Sequence, residues 1–345
     1  MSKLIPRDIE IILKNTRMFS NYFSGKRILI TGGNGFIGKY FIEVFKEYNK
    51  FLNKPILVYM YDINIKKNNF NNIPNIFCFK KDISREFNFN KKIDIIIHAA
   101  GIASPFYYRK KPLETLDVAI NGTRNCLKIA KKNKSKFIFF SSSEIYGDPS
   151  KNNVPTKENY RGNVSSLGPR ACYDESKRLG ETLCYIYNKY FNLHTNIIRP
   201  FNIYGPGMNQ KDYRIFPNFI SNILANKKLN IYGSGNQTRT YCYVTDAMEG
   251  FLKVIYYGKS GEAYNIGINK PEVSVKDVFK ILNKITNRRI SAKFMPHPKS
   301  YPDDEPQRRC PNTNKAKKDL HYNAKVKLEV GLKKFLTWAK DHYKY

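Results

Sequence analysis

Arg27-Ile28-Leu29-Ile30-Thr31-Gly32-Gly33-Asn34-Gly35-Phe36-Ile37-Gly38 carries an apolar run straight into a glycine-rich turn. The spacing Phe36-Ile37, Phe41-Ile42, Val44-Phe45 then continues as a helix. A strand, a glycine turn and a helix in that order cradle a dinucleotide. Gly32, Gly35 and Gly38 are needed for separate reasons: the tight turn, the close approach of backbone to a pyrophosphate, and the packing of helix on strand. The phosphates are expected on the free N–H groups of the first helical turn, where Phe36 and Ile37 lie. A second apolar run, Ile56 to Tyr61, ends in Asp62, a carboxylate placed to accept hydrogen bonds from the ribose hydroxyls and to repel a 2′-phosphate. That predicts NAD rather than NADP, with Lys66 and Lys67 as the nearby cations that weigh the other way.

The strand pattern repeats at Ile56–Asp62, Ile76–Asp82, Ile93–Ala100, Phe137–Ser143 and Asn196–Pro200. It alternates with helical spacing over Leu113–Lys132 and Glu175–Tyr190. Such alternation predicts a Rossmann-type, doubly wound parallel sheet with right-handed crossovers. Beyond about residue 205 the regularity gives way to Gly205-Pro206-Gly207 and Gly233-Ser234-Gly235 and to shorter elements, as in a lobe that closes over a substrate. The organisation expected is an N-terminal extension over 1–24, a cofactor-binding domain over 25–204, and a smaller C-terminal substrate-binding lobe over 205–345, some of whose segments return to the first domain. Leu328, Leu332, Phe335, Leu336 and Ala339 have the spacing of a packed helix.

The chain has 345 residues, enough for a full core. Its apolar runs are short and interrupted, and its first residues lack the apolar stretch of a signal peptide, which excludes a membrane reading. Six cysteines without a C-x-x-C pair suggest neither a zinc site nor a disulfide framework, and the five histidines lack ligand spacing. No metal is expected, and a reducing cytoplasm is the natural compartment. The balance of 60 Lys+Arg against 28 Asp+Glu gives +32. The excess is spread along the chain with no basic block interleaved with aromatics, which argues against nucleic acid and suits a polyanionic small substrate.

Tyr173 and Lys177 lie four apart with helical spacing, so their side chains share a face. An ammonium beside a phenol favours the phenolate, which would give a base usable near neutrality. The same spacing recurs at Tyr22/Lys26, Tyr107/Lys111 and Tyr185/Lys189, so placement decides. Tyr173/Lys177 opens the helix after the fifth strand, whose C-terminal end carries Ser141-Ser142-Ser143-Glu144. That end of a parallel sheet faces the ligand crevice, where a serine hydroxyl can polarise the substrate oxygen whose proton the tyrosine takes.

Over roughly residues 25 to 340 the chain resembles the extended short-chain dehydrogenase/reductases that act on nucleotide sugars. Thr31 to Gly38 matches that family's cofactor loop, Asp82-Ile83 its adenine contact and His98-Ala99-Ala100-Gly101 its fourth strand end. Ser142, Tyr173 and Lys177 match its catalytic triad. Arg199 to Pro206, which includes Asn202, and Tyr232 to Arg239 look like its substrate-diphosphate segments. Gly168 to Arg178 and Ser143 to Pro149 are nearest to the branch that decarboxylates UDP-glucuronate. The 4,6-dehydratases carry Asp-Glu where this chain has Ser143-Glu144, and simple 4-epimerases usually lack the glutamate. The decarboxylases also carry an arginine in a segment like Gln307 to Pro311, which implies that Arg309 reaches the sugar carboxylate.

The resemblance implies NAD as cofactor, a homodimer, and a UDP-linked sugar as substrate. The C4 hydroxyl is oxidised, the resulting β-keto acid loses CO₂, and hydride return yields UDP-xylose. Ser142 and the Tyr173 hydroxyl would stabilise the enolate. The rival readings are a 4-epimerase or 4,6-dehydratase on the same scaffold, and a non-catalytic cofactor-sensing regulator, which the joint presence of Ser142, Tyr173 and Lys177 opposes. Two positions depart from the family pattern. Ala119 stands where an asparagine is usual, with Asn121 displaced by two, and Cys310 replaces a basic residue.

Overall fold

Seven short apolar segments build the central sheet: β1 (Arg27–Thr31), β2 (Leu57–Asp62), β3 (Ile76–Lys80), β4 (Ile95–His98), β5 (Lys136–Phe140), β6 (Thr195–Pro200) and β7 (Ala263–Ile266). The computed structural model describes residues 4–65, 73–287, 289–296 and 305–345, so Lys66 and Lys67 lie outside the described residues. The strand order is β7-β6-β5-β4-β1-β2-β3, parallel throughout. Side chains alternate between the faces as the period of a strand requires. Ile28, Ile30, Ile95, Ile97 and Ile138 enter one core, while Leu29, Ile96, Phe137 and Phe139 enter the other.

The helices that cover the sheet include α1 (Pro6–Thr16), α2 (Phe36–Tyr48), α3 (Pro112–Asn133), α4 (Ala171–Phe191), α5 (Val244–Tyr257) and α6 (Leu328–His342). The α4 helix begins four residues before the Glu175 start expected from spacing, so Tyr173 lies within its first turn. The fifth strand stops at Phe140, short of the expected Ser143. Its continuation is diverted because the Ser142 hydroxyl caps a short helical turn over Ser143–Tyr146 by accepting from the Glu144 N–H at 3.2 Å. The seventh strand comes from beyond residue 205 and pairs with β6, which extends the main sheet.

Residues before Arg27 are built into the fold. Ile9, Ile12, Phe19 and Phe23 are buried in the main core, and Tyr48 donates to the Thr16 carbonyl at 2.8 Å. Asp8 is wholly buried; it accepts from Lys334 Nζ of α6 at 2.7 Å and from the Tyr243 hydroxyl. At the other end Leu328, Leu332, Phe335, Leu336 and Ala339 bury the inner face of α6.

One small sheet matters for the site. Thr238–Arg239 pairs antiparallel with Val273–Ser274 and parallel with Arg308–Arg309, which sets Arg239 in register with Arg309. Two guanidinium groups so placed must find carboxylates.

Candidate active site

Because all seven strands run the same way, their C-terminal ends share one edge, and a cavity of about 1640 Å³ opens there. At its cofactor end lie Gly32, Gly35, Phe36, Ile37, Gly38, Asp62, Asp82, Ile83, Ala99 and Ala100. Gly32 takes φ +72°, and a Cβ there would stand 2.7 Å from the Ala100 Cα. A Cβ on Gly38 would meet the Gly32 carbonyl at 2.5 Å, so this glycine lets helix and strand close on each other. Gly35, the N-cap of α2, offers no capping side chain, and the helix N-terminus is open to the cavity. Asp62 is oriented by the N–H groups of Asn34 at 3.0 Å and Asn64 at 2.8 Å, and Asp82 by Ser84. A glycine cradle, an uncapped helix start and an oriented carboxylate at the end of β2 fit a dinucleotide.

Ser142, Ser143, Glu144, Tyr173 and Lys177 line the same cavity, as do Asn202, Tyr232, Arg239 and Arg309. The Tyr173 phenol is buried, with the Ser142 side chain beside it. Burial pushes its pKa up to about 12, with the serine hydroxyl pulling the other way. This differs from the lowered value expected of a phenol beside an ammonium. The reason is geometric: Lys177 Nζ donates to the Phe140 carbonyl at 2.8 Å and sits 5.8 Å from the Tyr173 ring centre, so desolvation outweighs it. Burial also brings Lys177 down to about 8. Tyr108 stacks on Tyr173 with ring centres 5.1 Å apart, and its buried hydroxyl has no hydrogen-bond partner among the described residues.

Glu144 is held bidentately by Arg309, Nη1 and Nη2 each at 2.6 Å, and is also bonded by Arg170 Nη2. Arg170 reaches Asp174 at 3.4 Å and Glu305, and Arg239 Nη2 meets the other oxygen of Glu305 at 2.9 Å. The Asp174 carboxyl is pushed up to about 7 by burial, with the Glu144 charge adding. Arg309 Nε is buried without an acceptor among the described residues. Arg170, Glu305 and Tyr108 were not singled out from sequence as site residues. Arg170 stands inside the Gly168-Pro169-Arg170 segment quoted there, whereas Glu305 follows Asp303-Asp304 with no pattern to mark it.

The two departures have structural accounts. Ala119 is buried and its carbonyl accepts from Thr123 Oγ1 at 2.6 Å; that hydroxyl meets His98 Nε2 at 2.9 Å, and His98 Nδ1 meets Thr31 Oγ1 at 2.7 Å. Asn121 is exposed and donates to Asp117 at 3.4 Å, and both line the cavity, which Ala119 does not. Cys310 is buried, with its Sγ donating to the Asn269 carbonyl.

The profile of the NAD dependent epimerase/dehydratase family matches residues 28–267. The chain belongs to that family. It is 35% identical over 322 residues to UDP-glucuronic acid decarboxylase 6 of Arabidopsis thaliana, a match covering 93% of this chain and 90% of the relative. UDP-glucuronic acid decarboxylase 1 of Xenopus tropicalis is 33% identical over 330 residues, covering 93% and 73%. Among solved structures, UDP-glucuronic acid 4-epimerase from Bacillus cereus, in complex with UDP-glucuronic acid and NAD, aligns with a TM-score of 0.75 at 27% identity, over 92% of this chain and all of that one. A dTDP-glucose 4,6-dehydratase from Streptomyces venezuelae shares the fold, with a TM-score of 0.78 at 22% identity over 92% and 97% of the two chains. Among the described residues no helix is long and apolar enough to cross a membrane.

Proposed function

We propose that the protein binds NAD and decarboxylates UDP-glucuronate to UDP-xylose through a 4-keto intermediate. The observation that carries the reading is Arg309. Its guanidinium is buried in the cavity wall, aligned by two bonds to Glu144, and keeps one buried N–H donor without an acceptor. A buried donor of that kind calls for an oxygen acceptor, and a sugar carboxylate supplies one. The decarboxylase names of the relatives support the same substrate.

In this reading Gly32, Gly35, Phe36, Ile37, Gly38, Asp62, Asp82, Ile83, Ala99 and Ala100 hold the cofactor. When bound, NAD⁺ would supply the acceptor for the C4 hydride and the donor for its return, so that no net oxidation results. Once ionised against the pull of burial, the Tyr173 oxygen takes the C4 hydroxyl proton, with Ser142 beside it. Lys177, held on the Phe140 carbonyl, keeps a positive charge on the cofactor side of the phenol. Once C4 is a ketone, the bond from C5 to the carboxylate breaks, CO₂ leaves, and the electron pair becomes an enolate. Its oxygen is hydrogen-bonded by the hydroxyls of Ser142 and Tyr173. Ser143 leaves Glu144 without the neighbouring acid that a dehydratase needs. Protonation at C5 completes the step, and if hydride is not returned the 4-keto pentose is released. Asn202, Tyr232 and Arg239 are the further substrate contacts proposed. A cytoplasmic homodimer belongs to the same reading.

The test is to incubate the protein and NAD with UDP-, TDP-, GDP- and CDP-linked sugars and weigh the products. UDP-glucuronate alone should lose the mass of one CO₂. Inversion at C4 with the carboxylate retained would move the reading to the epimerase, and loss of water from a neutral hexose would move it to the dehydratase.

A further inference from the structure

Arg170, Arg239 and Arg309 face Glu144, Asp174 and Glu305 on one wall of the cavity, and every guanidinium touches a carboxylate. With Asp174 ionised the formal charges cancel. A nucleotide-diphosphate uronate brings negative charge at its phosphates and its carboxylate, and a neutral cluster gives that charge little attraction. For a substrate anion to pair with Arg170 or Arg239, a resident carboxylate must give one up.

Glu305 is the carboxylate built to do so. Glu144 is gripped bidentately by Arg309 as well as by Arg170, and Asp174 sits in α4 with a side chain 6% exposed. The Glu305 side chain is 24% exposed and stands on backbone outside any helix or strand. The chain around it is nevertheless pinned. Arg239 donates to the carbonyls of Pro306 at 2.6 Å, Gln307 at 3.1 Å and Thr238 at 2.9 Å, and the Gln307 N–H donates to Asp148 at 2.9 Å. The carboxylate can therefore turn away while Arg239 stays anchored and Arg309 keeps its place.

We propose that Glu305 is a resident anion of the site, holding Arg170 and Arg239 until the anionic part of the nucleotide sugar exchanges with it. Glu305 then acts as a specificity-determining residue. A ligand must carry enough negative charge to displace it, and a ligand that cannot pays the loss of two ion pairs. This rests on the nucleotide-uronate reading above.

The experiment is a calorimetric titration of UDP-glucuronate into the full chain saturated with NAD, for the native protein, Glu305→Gln and Glu305→Ala. Removing the competing charge should tighten UDP-glucuronate by about tenfold in both variants. KM should fall in step. An unchanged NAD affinity shows that the variants are folded. Weaker or equal binding of UDP-glucuronate with NAD affinity intact overturns the exchange and makes Glu305 a scaffold of the arginines. Native protein that binds no UDP-linked sugar would instead overturn the substrate reading itself.

Discussion

Arg309→Ala tests the proposed substrate contact and the site architecture together, because the same guanidinium supports Glu144 and keeps a buried N–H without an acceptor among the described residues. The side chain is 5% exposed and makes two charge-assisted bonds of 2.6 Å to Glu144. Stripping a buried charge of its partner costs about 3–5 kcal/mol, but Glu144 keeps Arg170, so about 2–3 kcal/mol of stability should be lost. Losing the bond to the sugar carboxylate removes about 1.5–3 kcal/mol of binding, a ten- to hundredfold fall in kcat/KM. A double-mutant cycle separates the two effects. In Glu144→Gln/Arg309→Ala the orphaned charge is gone, so stability should recover by about 1–2 kcal/mol relative to the sum of the single changes, while uronate turnover stays low. Urea midpoints would give the stabilities, CO₂ release the turnover, and calorimetry the NAD affinity. The reasoning is refuted if Arg309→Ala keeps turnover within about threefold of native, or if NAD affinity falls in parallel with turnover.

Three further outcomes are expected. Tyr173→Phe removes the proton acceptor and almost no volume, so fold and NAD binding should persist while reduction of NAD on mixing with UDP-glucuronate disappears; reduction at the native rate would assign the base elsewhere. His98 is brought down to about 3 by burial, from an ordinary 6.5, so between those values the unfolded chain holds a proton that the folded one does not, and stability present above pH 6.5 is lost as pH falls. His98→Gln should flatten that acid limb in denaturant melts from pH 7 to 4; the opposing slope from Asp174, raised to about 7, is common to both proteins and cancels in the comparison. Removal of residues 1–24 strips the core of Ile9, Ile12, Phe19 and Phe23 and leaves Lys334 and Tyr243 without Asp8, so the shortened chain should melt well below the full one or fail to fold, and an unshifted thermal transition would contradict the packing described.

The sheet was legible because its signal is local. Each strand is a short apolar run closed by a turn residue, and β1 is found at the boundaries that its residues suggest, Arg27–Thr31. The ends were less so. Ile93–Ala100 is a strand only over Ile95–His98, and the serines after Phe140 leave the sheet because a hydroxyl, not a periodicity, redirects the backbone. The seventh strand, Ala263–Ile266, is four residues with one polar member, Asn265, whose amide reaches the carbonyls of Thr156 and Asn312; nothing within so short a run announces which sheet it joins. The role of residues before Arg27 was hidden for a related reason, since the apolar face of α1 reads as amphipathic whether it meets this core or a partner.

The charge cluster marks the boundary of what a sequence can say. Arg309 and Glu144 are 165 residues apart, Arg170 and Glu305 135, Arg239 and Glu305 66. No window contains any pair, and 60 basic residues against 28 acidic ones give no reason to expect three carboxylates beside three arginines. The cause is the register of two short parallel segments, which sets Arg239 against Arg309 and leaves a repulsion that only buried carboxylates can relieve. Motif matching can name Arg309 as a substrate contact and Glu144 as its companion, but it treats each as free to act. In the folded chain neither is free. Arg309 has committed two of its five donors to Glu144, and its buried Nε, which has no acceptor among the described residues, is the most direct place to look for the substrate carboxylate.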